Sequence, residues 1–73
     1  MPTFTDRLKE LRKARNVTQA NVAEAIGCVE QYYQKIEYGN IKPKYDKIEL
    51  LADYFEVSTD YLLGRSDNPQ RLL

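Results

Sequence analysis

Apolar residues recur along the chain at the spacing of short amphipathic helices. They stand at i, i+3, i+4 and i+7, which places them on one face of a helix, and no sustained alternation of apolar and polar residues indicates a strand. Three glycines and three prolines leave these windows uninterrupted. The positions that carry the spacing are Phe4, Leu8, Leu11, Val22, Ala23, Ile26, Ile48, Leu51, Ala52 and Phe55.

Capping residues divide the pattern into five predicted helices. Thr5, Thr18 and Ser58 are candidate N-caps. Asn16 and the glycines supply stops, because these residues tolerate the left-handed backbone at a helix end. The helices are expected from near Thr5 to Asn16, at about 19–26, 29–38 and 45–55, and between Ser58 and Gly64.

Short connections between short helices favour a compact all-α fold with steep helix crossings. The 73 residues suffice for one small domain. We expect the domain to occupy residues 1–66 and a C-terminal tail to occupy residues 67–73.

The charges balance overall but not along the chain. Residues 1–44 carry eight basic and five acidic side chains, a net of +3, whereas residues 45–73 carry three basic and six acidic ones, a net of −3. The molecule is expected to have a dipolar field, with chance sorting of solvated charges as the alternative.

The residue inventory argues against catalysis. Histidine is absent and the single cysteine has no histidine to activate it. We therefore expect no enzyme, no metal, no cofactor and no small-molecule substrate. No apolar run approaches the length of a membrane span and the N-terminus lacks a signal peptide's apolar region, so the expected location is the cytoplasm.

The second and third predicted helices have the properties of a helix-turn-helix. Such a unit joins two steeply crossed helices through a short turn that often contains glycine. Ala23 is small where the third helix approaches, and Gly27 permits the turn. Apolar side chains for the wedge between the helices are available at Ile26, Tyr33 and Ile36.

Three segments, "TQANVAEAIG", "IEYGNIKPK" and "IELLADYFEVSTDYLLG", together resemble the family of lambdoid phage repressors and Cro, also called the xenobiotic-response-element family. The resemblance runs from about Thr5 to Gly64. It implies a lambda-repressor-like five-helix helix-turn-helix domain that binds double-stranded DNA as a homodimer, with the third helix in the major groove. The expected function is that of a sequence-specific transcriptional regulator, most simply a repressor.

The resemblance assigns contacts residue by residue, and the physical chemistry of the side chains agrees. Amides and lysines suit phosphate oxygens, and the expected phosphate contacts are Gln19, Tyr38, Asn40, Lys42 and Lys44. Exposed polar side chains near the start of the third helix suit base edges, and the expected base contacts are Glu30, Gln31, Gln34 and Lys35. The alternative is ordinary solvated surface.

Two further features follow from the resemblance and the C-terminal sequence. Arg12 and Glu37 stand where family members form a partly buried salt bridge, which would fix the third helix against the first. Homodimer contacts are expected from the last helix and the C-terminus, at Tyr61, Leu62, Leu63, Leu72 and Leu73.

The third helix also departs from the family pattern. Val29 replaces the usual Ser or Thr before the helix and is a poor N-cap. Tyr33 replaces a buried aliphatic residue, so its hydroxyl needs a partner or water. Tyr32 is expected to point toward the groove or solvent, and Glu30 would be repelled by phosphates. These residues keep open an alternative function: a protein-interaction module, antitoxin-like, that retains the fold without strong DNA reading.

Overall fold

A computed structural model describes residues 3–71, and within that range the chain forms five α-helices. In chain order they are α1 (Phe4–Arg15), α2 (Gln19–Ala25), α3 (Glu30–Glu37), α4 (Tyr45–Phe55) and α5 (Thr59–Leu62). The predicted all-α architecture with five helices is confirmed. Leu72 and Leu73, which were expected to contribute to a dimer surface, lie outside the described residues.

The prediction of Thr5 as the first N-cap is wrong, because Thr3 takes that role. The Thr3 hydroxyl accepts a hydrogen bond from the Asp6 backbone N–H at 3.2 Å, and the Asp6 carboxylate accepts one from the Thr3 backbone N–H at 3.2 Å. This reciprocal capping box gives an acceptor to the backbone N–H groups of both Thr3 and Asp6, which a cap at Thr5 would not do. The helix ends as predicted at Asn16, whose φ of 56° lies in the left-handed region.

The other boundaries agree with the prediction to within a residue or two at each end. Thr18 and Ser58 cap α2 and α5 through their side chains. Ile26, Val29 and Tyr38 are cap residues rather than members of α2 and α3. Val29 makes no side-chain capping hydrogen bond, which agrees with its poor propensity for that position.

The core joins the apolar faces of all five helices. Its members are Leu8, Val22, Ala23, Ile26, Tyr33, Ile36, Leu51, Ala52, Phe55, Val57 and Leu62. Tyr33 is among the largest fully buried side chains, so the fold accommodates the ring that replaces an aliphatic residue. Tyr32 is half-buried and packs against this core, so part of its ring is covered; that its exposed part points toward the groove or solvent stays a prediction.

Two arginines of α1 tie the N-terminal helix to the C-terminal half. Arg7 is 4% exposed and stacks over the Tyr61 ring at 3.8 Å from its centroid. Its guanidinium also donates to the Ser66 carbonyl and the Asp67 carboxylate. Arg15 donates to the Phe55 carbonyl at the end of α4, at 2.8 Å.

Residues beyond the predicted domain boundary at 66 fold back on the helices. The Ser58 backbone N–H donates to the Pro69 carbonyl at 3.0 Å, and Arg71 forms a salt bridge with Asp53. The division into a domain of residues 1–66 and a tail stays a prediction.

Candidate nucleic-acid interface

Two backbone N–H groups of the turn between α2 and α3 are hydrogen-bonded to α2. Gly27 has a φ of 74°, as predicted for the residue after α2, and its N–H donates to the Glu24 carbonyl. The Cys28 N–H donates to the Ala23 carbonyl at 3.0 Å. Because the backbone groups of the turn are bonded to α2, the start of α3 is held at a fixed place relative to α2.

Lys47 of α4 reinforces the same turn, although no local pattern around this lysine indicates such a role. Its ammonium group donates to the Ile26 carbonyl at 2.8 Å. A cation at the C-terminal end of α2 also complements the helix dipole. The turn is therefore secured from α4 as well as from its own hydrogen bonds.

The four predicted base contacts lie together on the outward side of α3. They occupy positions i, i+1, i+4 and i+5 of a helix whose opposite side is buried at Tyr33 and Ile36. Gln31 and Lys35 are exposed, as is Glu30, whereas Gln34 is half-buried. The side-chain amide of Gln34 donates to the Glu30 carboxylate at 3.4 Å, which holds that acid against the helix.

The predicted Arg12–Glu37 salt bridge is present. Arg12 donates from Nε to Glu37 Oε2 and from Nη2 to Glu37 Oε1, both at 2.9 Å, in a bidentate arrangement. Burial alone would raise the pKa of the Glu37 carboxyl, but the hydrogen bonds and charge of Arg12, together with the neighbouring Tyr33 and Gln19, outweigh it and hold the pKa below its ordinary value. The same bonds raise the pKa of the Arg12 guanidinium. With Glu37 only 1% exposed, the pair anchors α3 on α1.

A polar network extends from this pair toward the N-terminus of α2. The side-chain amide of Gln19 donates to Glu37 Oε1 at 3.4 Å, so the predicted phosphate contact shares an acceptor with Arg12. The Tyr33 hydroxyl finds no hydrogen-bond partner within the described chain. Burial, and then the nearby Glu37 carboxylate, raises the pKa of Tyr33 far above its ordinary value, so this hydroxyl stays protonated.

An open cleft of about 500 Å³ lies where α1, α2 and α3 meet. Residues of all three helices and the cap of α3 line it, among them Lys9, Arg12, Lys13, Gln19, Glu30 and Tyr38. Lys9 and Lys13 were not among the predicted contacts; their i, i+4 spacing on α1 was the available signal. The cleft brings three cations of α1 beside the predicted phosphate contacts Gln19 and Tyr38.

The remaining predicted phosphate contacts follow α3 in the chain. Asn40, Lys42 and Lys44 are exposed, and Tyr38 is 62% exposed. The segment turns at Gly39, whose φ is 82°, and the Asn40 N–H donates to the Lys35 carbonyl at 2.8 Å. This bond fixes the direction in which the lysine-bearing loop leaves α3.

The predicted dimer residues differ in what they can offer. Leu62 is 0% exposed and belongs to the core, so the structure contradicts its assignment to a surface contact. Tyr61 and Leu63 are half-buried, and the Tyr61 ring is covered on one face by Arg7. At α5, therefore, only parts of Tyr61 and Leu63 are exposed for a dimer contact, whereas the sequence predicted contacts from three residues.

This geometry defines a class of protein: a small all-α domain in which two helices and a glycine turn present the outer face of a well-anchored third helix. Comparison with known families agrees. Residues 8–62 match the helix-turn-helix family, and the chain belongs to that family. The resemblance to phage repressors stated from the sequence is confirmed.

Several relatives are named as transcriptional regulators. The chain is 41% identical over 66 residues to the uncharacterized HTH-type transcriptional regulator YobD of Bacillus subtilis, covering 90% of this chain and 59% of the relative. It is 40% identical over 70 residues to the cryptic phage CTXphi transcriptional repressor RstR of Vibrio cholerae, covering 93% of this chain and 62% of the relative. The chain thus spans about 60% of the length of these relatives.

A solved structure has the same fold. The P22 c2 repressor in complex with a synthetic operator superimposes with a TM-score of 0.83 over 90% of this chain and 100% of that chain, at 21% identity. Within residues 3–71, no helix is both long and apolar enough to cross a membrane.

Proposed function

We propose that the chain is a sequence-specific DNA-binding transcriptional regulator, most simply a repressor, that places α3 in the major groove. The observation that carries this proposal is the division of α3 into two sides. Tyr33, Ile36 and Glu37 fix one side in the core and on α1. The other side presents polar side chains, of which Glu30, Gln31 and Lys35 are exposed. A rigid polar helix face suits base edges.

The surroundings of α3 support contact with phosphates. Gln19, Tyr38 and the lysine loop flank the helix, and the Lys9–Lys13 side of α1 faces the same cleft. The relatives also support DNA binding, because they include transcriptional regulators and a phage repressor. The chain shares its fold with a repressor that was solved in complex with an operator.

The protein is proposed to act as a homodimer on a two-fold operator. The eight residues of α3 extend only about 12 Å, whereas half-sites of such operators lie roughly 34 Å apart, so one copy of α3 does not reach two half-sites. Tyr61 and Leu63 remain the candidate contacts. Sedimentation that finds only monomer at high concentration, with and without operator, would refute the dimer.

Selection of bound sequences from random duplex DNA at moderate salt tests the proposed function. We expect a two-fold site whose half-sites lose their sequence preference when Gln31 and Lys35 are both changed to alanine. Arg65→Ala is the matched control, because Arg65 is exposed and lies outside the α2–α3 unit. Failure to enrich any half-site above nonspecific binding would defeat the proposal.

The alternative, a protein-interaction module, is less well supported by the geometry. Tyr33 is buried and Tyr32 is partly covered by the core, so the aromatic surface that this alternative needs is smaller on α3 than two exposed tyrosines would give. The same double variant separates the two functions: unchanged DNA binding together with loss of a protein partner would favour the module.

A further inference from the structure

Val29, at the start of α3, is an apolar side chain in a place where it does not serve the fold. Three of the five helices begin at a Thr or Ser whose side chain caps the helix, but Val29 makes no such bond. It is also 66% exposed, the largest exposed fraction among the large hydrophobic residues of the described chain. A serine here would serve the helix better, so local stability does not explain the valine.

Hydrogen bonds hold the backbone around Val29 in place. The Val29 carbonyl accepts hydrogen bonds from the Tyr32 and Tyr33 N–H groups, at 3.1 and 3.3 Å. The preceding Cys28 N–H is bonded to Ala23. Because a β-branched side chain has few rotamers, Val29 is a preorganised apolar contact rather than a mobile one.

The neighbours of Val29 decide which surface it suits. Glu30 and Gln31 follow it directly and are exposed. An apolar pocket of a protein partner would have to desolvate these two polar side chains along with the valine. The major groove instead offers hydrogen-bonding groups next to one apolar group, the C5-methyl of thymine.

We propose that Val29 is a specificity-determining residue that packs its methyl groups against a thymine methyl in each half-site, beside the bases read by Glu30 and Gln31. This inference rests on the proposed function, since it requires α3 to lie in the major groove. The thymine methyl group is an apolar feature of the DNA that the polar residues of α3 do not recognise.

Uracil substitution tests the contact without changing base pairing. Half-sites are first selected from random duplex DNA with the wild-type chain and with Val29→Ser. The wild-type site should contain a thymine whose preference is lost with Val29→Ser. Each thymine of the selected site is then replaced in turn by uracil, which lacks only the methyl group. We expect wild-type affinity to fall roughly fourfold at that one position, the value of one buried methyl group.

Val29→Ser gives the matched protein control. It should bind the thymine and uracil versions of the site equally, while its thermal unfolding midpoint stays at or above that of the wild type because serine caps the helix. A site without such a thymine, equal wild-type affinity for uracil at every position, or an unchanged thymine preference in Val29→Ser would each overturn the inference. If no half-site is enriched, the proposed function fails first, and this inference with it.

Discussion

At the scale of single residues, the polar groups around Glu37 decide how firmly α3 is held. One carboxylate accepts from Arg12 twice and from Gln19 once, while being almost completely buried. A buried acid is tolerable when its partners satisfy it, and costly once one partner is removed. The adjacent Tyr33 hydroxyl is the contrasting case, because it is buried without a hydrogen bond.

Glu37→Gln is expected to lower the free energy of unfolding by about 3 kcal/mol at neutral pH, because Arg12 then loses its charged partner. The pKa of folded Glu37 lies below its ordinary value of 4.5. The pair's contribution is therefore complete above about pH 4.5 and disappears as the pH falls through the lower folded pKa. Urea titrations of both proteins from pH 7 to pH 2 should show their difference shrinking in acid.

The exposed Glu49→Gln on α4 is the control for that titration and should change stability little at any pH. A double-mutant cycle between Arg12 and Glu37 with a coupling energy near zero would contradict the pairing.

Tyr33→Phe should stabilise the protein by about 1 kcal/mol, since it removes a buried hydroxyl that has no partner. Denaturant unfolding measures the change, with Tyr45→Phe as the matched control because Tyr45 is 60% exposed. A loss of stability in Tyr33→Phe would mean that the hydroxyl donates a hydrogen bond in solution, Glu37 being the nearby acceptor.

At the scale of elements, helix existence and order followed from apolar spacing and caps, because these signals are local. α4 was predicted to the residue, and α2 and α3 to within their cap residues. Thr5 is not the cap because Asp6, the acid that completes a capping box, stands three residues after Thr3. The positions of Arg7 and Lys47 were not predictable, because their partners lie far away in the chain.

The same distinction applies to the candidate site. The outward side of α3 follows from helical periodicity once its buried side is known. The cleft involving Lys9 and Lys13 depends on the crossing of α1 with α2 and α3, which spacing along the chain does not specify. The burial of Leu62 likewise depends on how α5 docks, so an apolar residue near the C-terminus was mistaken for a surface contact.

Gly27→Ala is expected to cost about 1 kcal/mol of stability because of its left-handed backbone alone. The site leaves open space for a Cβ atom, so no steric clash adds to that cost. Gly27→Asn is the matched variant and should cost less, since asparagine tolerates this conformation better. Thermal unfolding of the two variants ranks them, and an alanine variant as stable as the wild type would contradict the observed turn.

At the scale of the whole molecule, the uneven charge along the sequence places basic and acidic side chains on different parts of the surface. Arg12 and two lysines of α1 face the cleft beside α3, and the loop lysines follow that helix. The exposed side of α4 carries Asp46, Glu49 and Asp53 instead. A neutral protein with this arrangement is expected to approach DNA with its basic side, since the field orients the encounter even when the net charge is zero.

The salt dependence of operator binding tests whether the α1 cations take part. If Lys9 and Lys13 each neutralise a phosphate, removing either one should weaken binding across all sequences and reduce the slope of log affinity against log salt by about 1. Sequence preference should stay unchanged, because phosphate contacts position a protein without reading bases. Arg65→Ala removes a positive charge from the acidic half and should leave the slope unaltered. If Lys9→Ala, Lys13→Ala and Arg65→Ala reduced the slope equally, net charge rather than the cleft would govern binding.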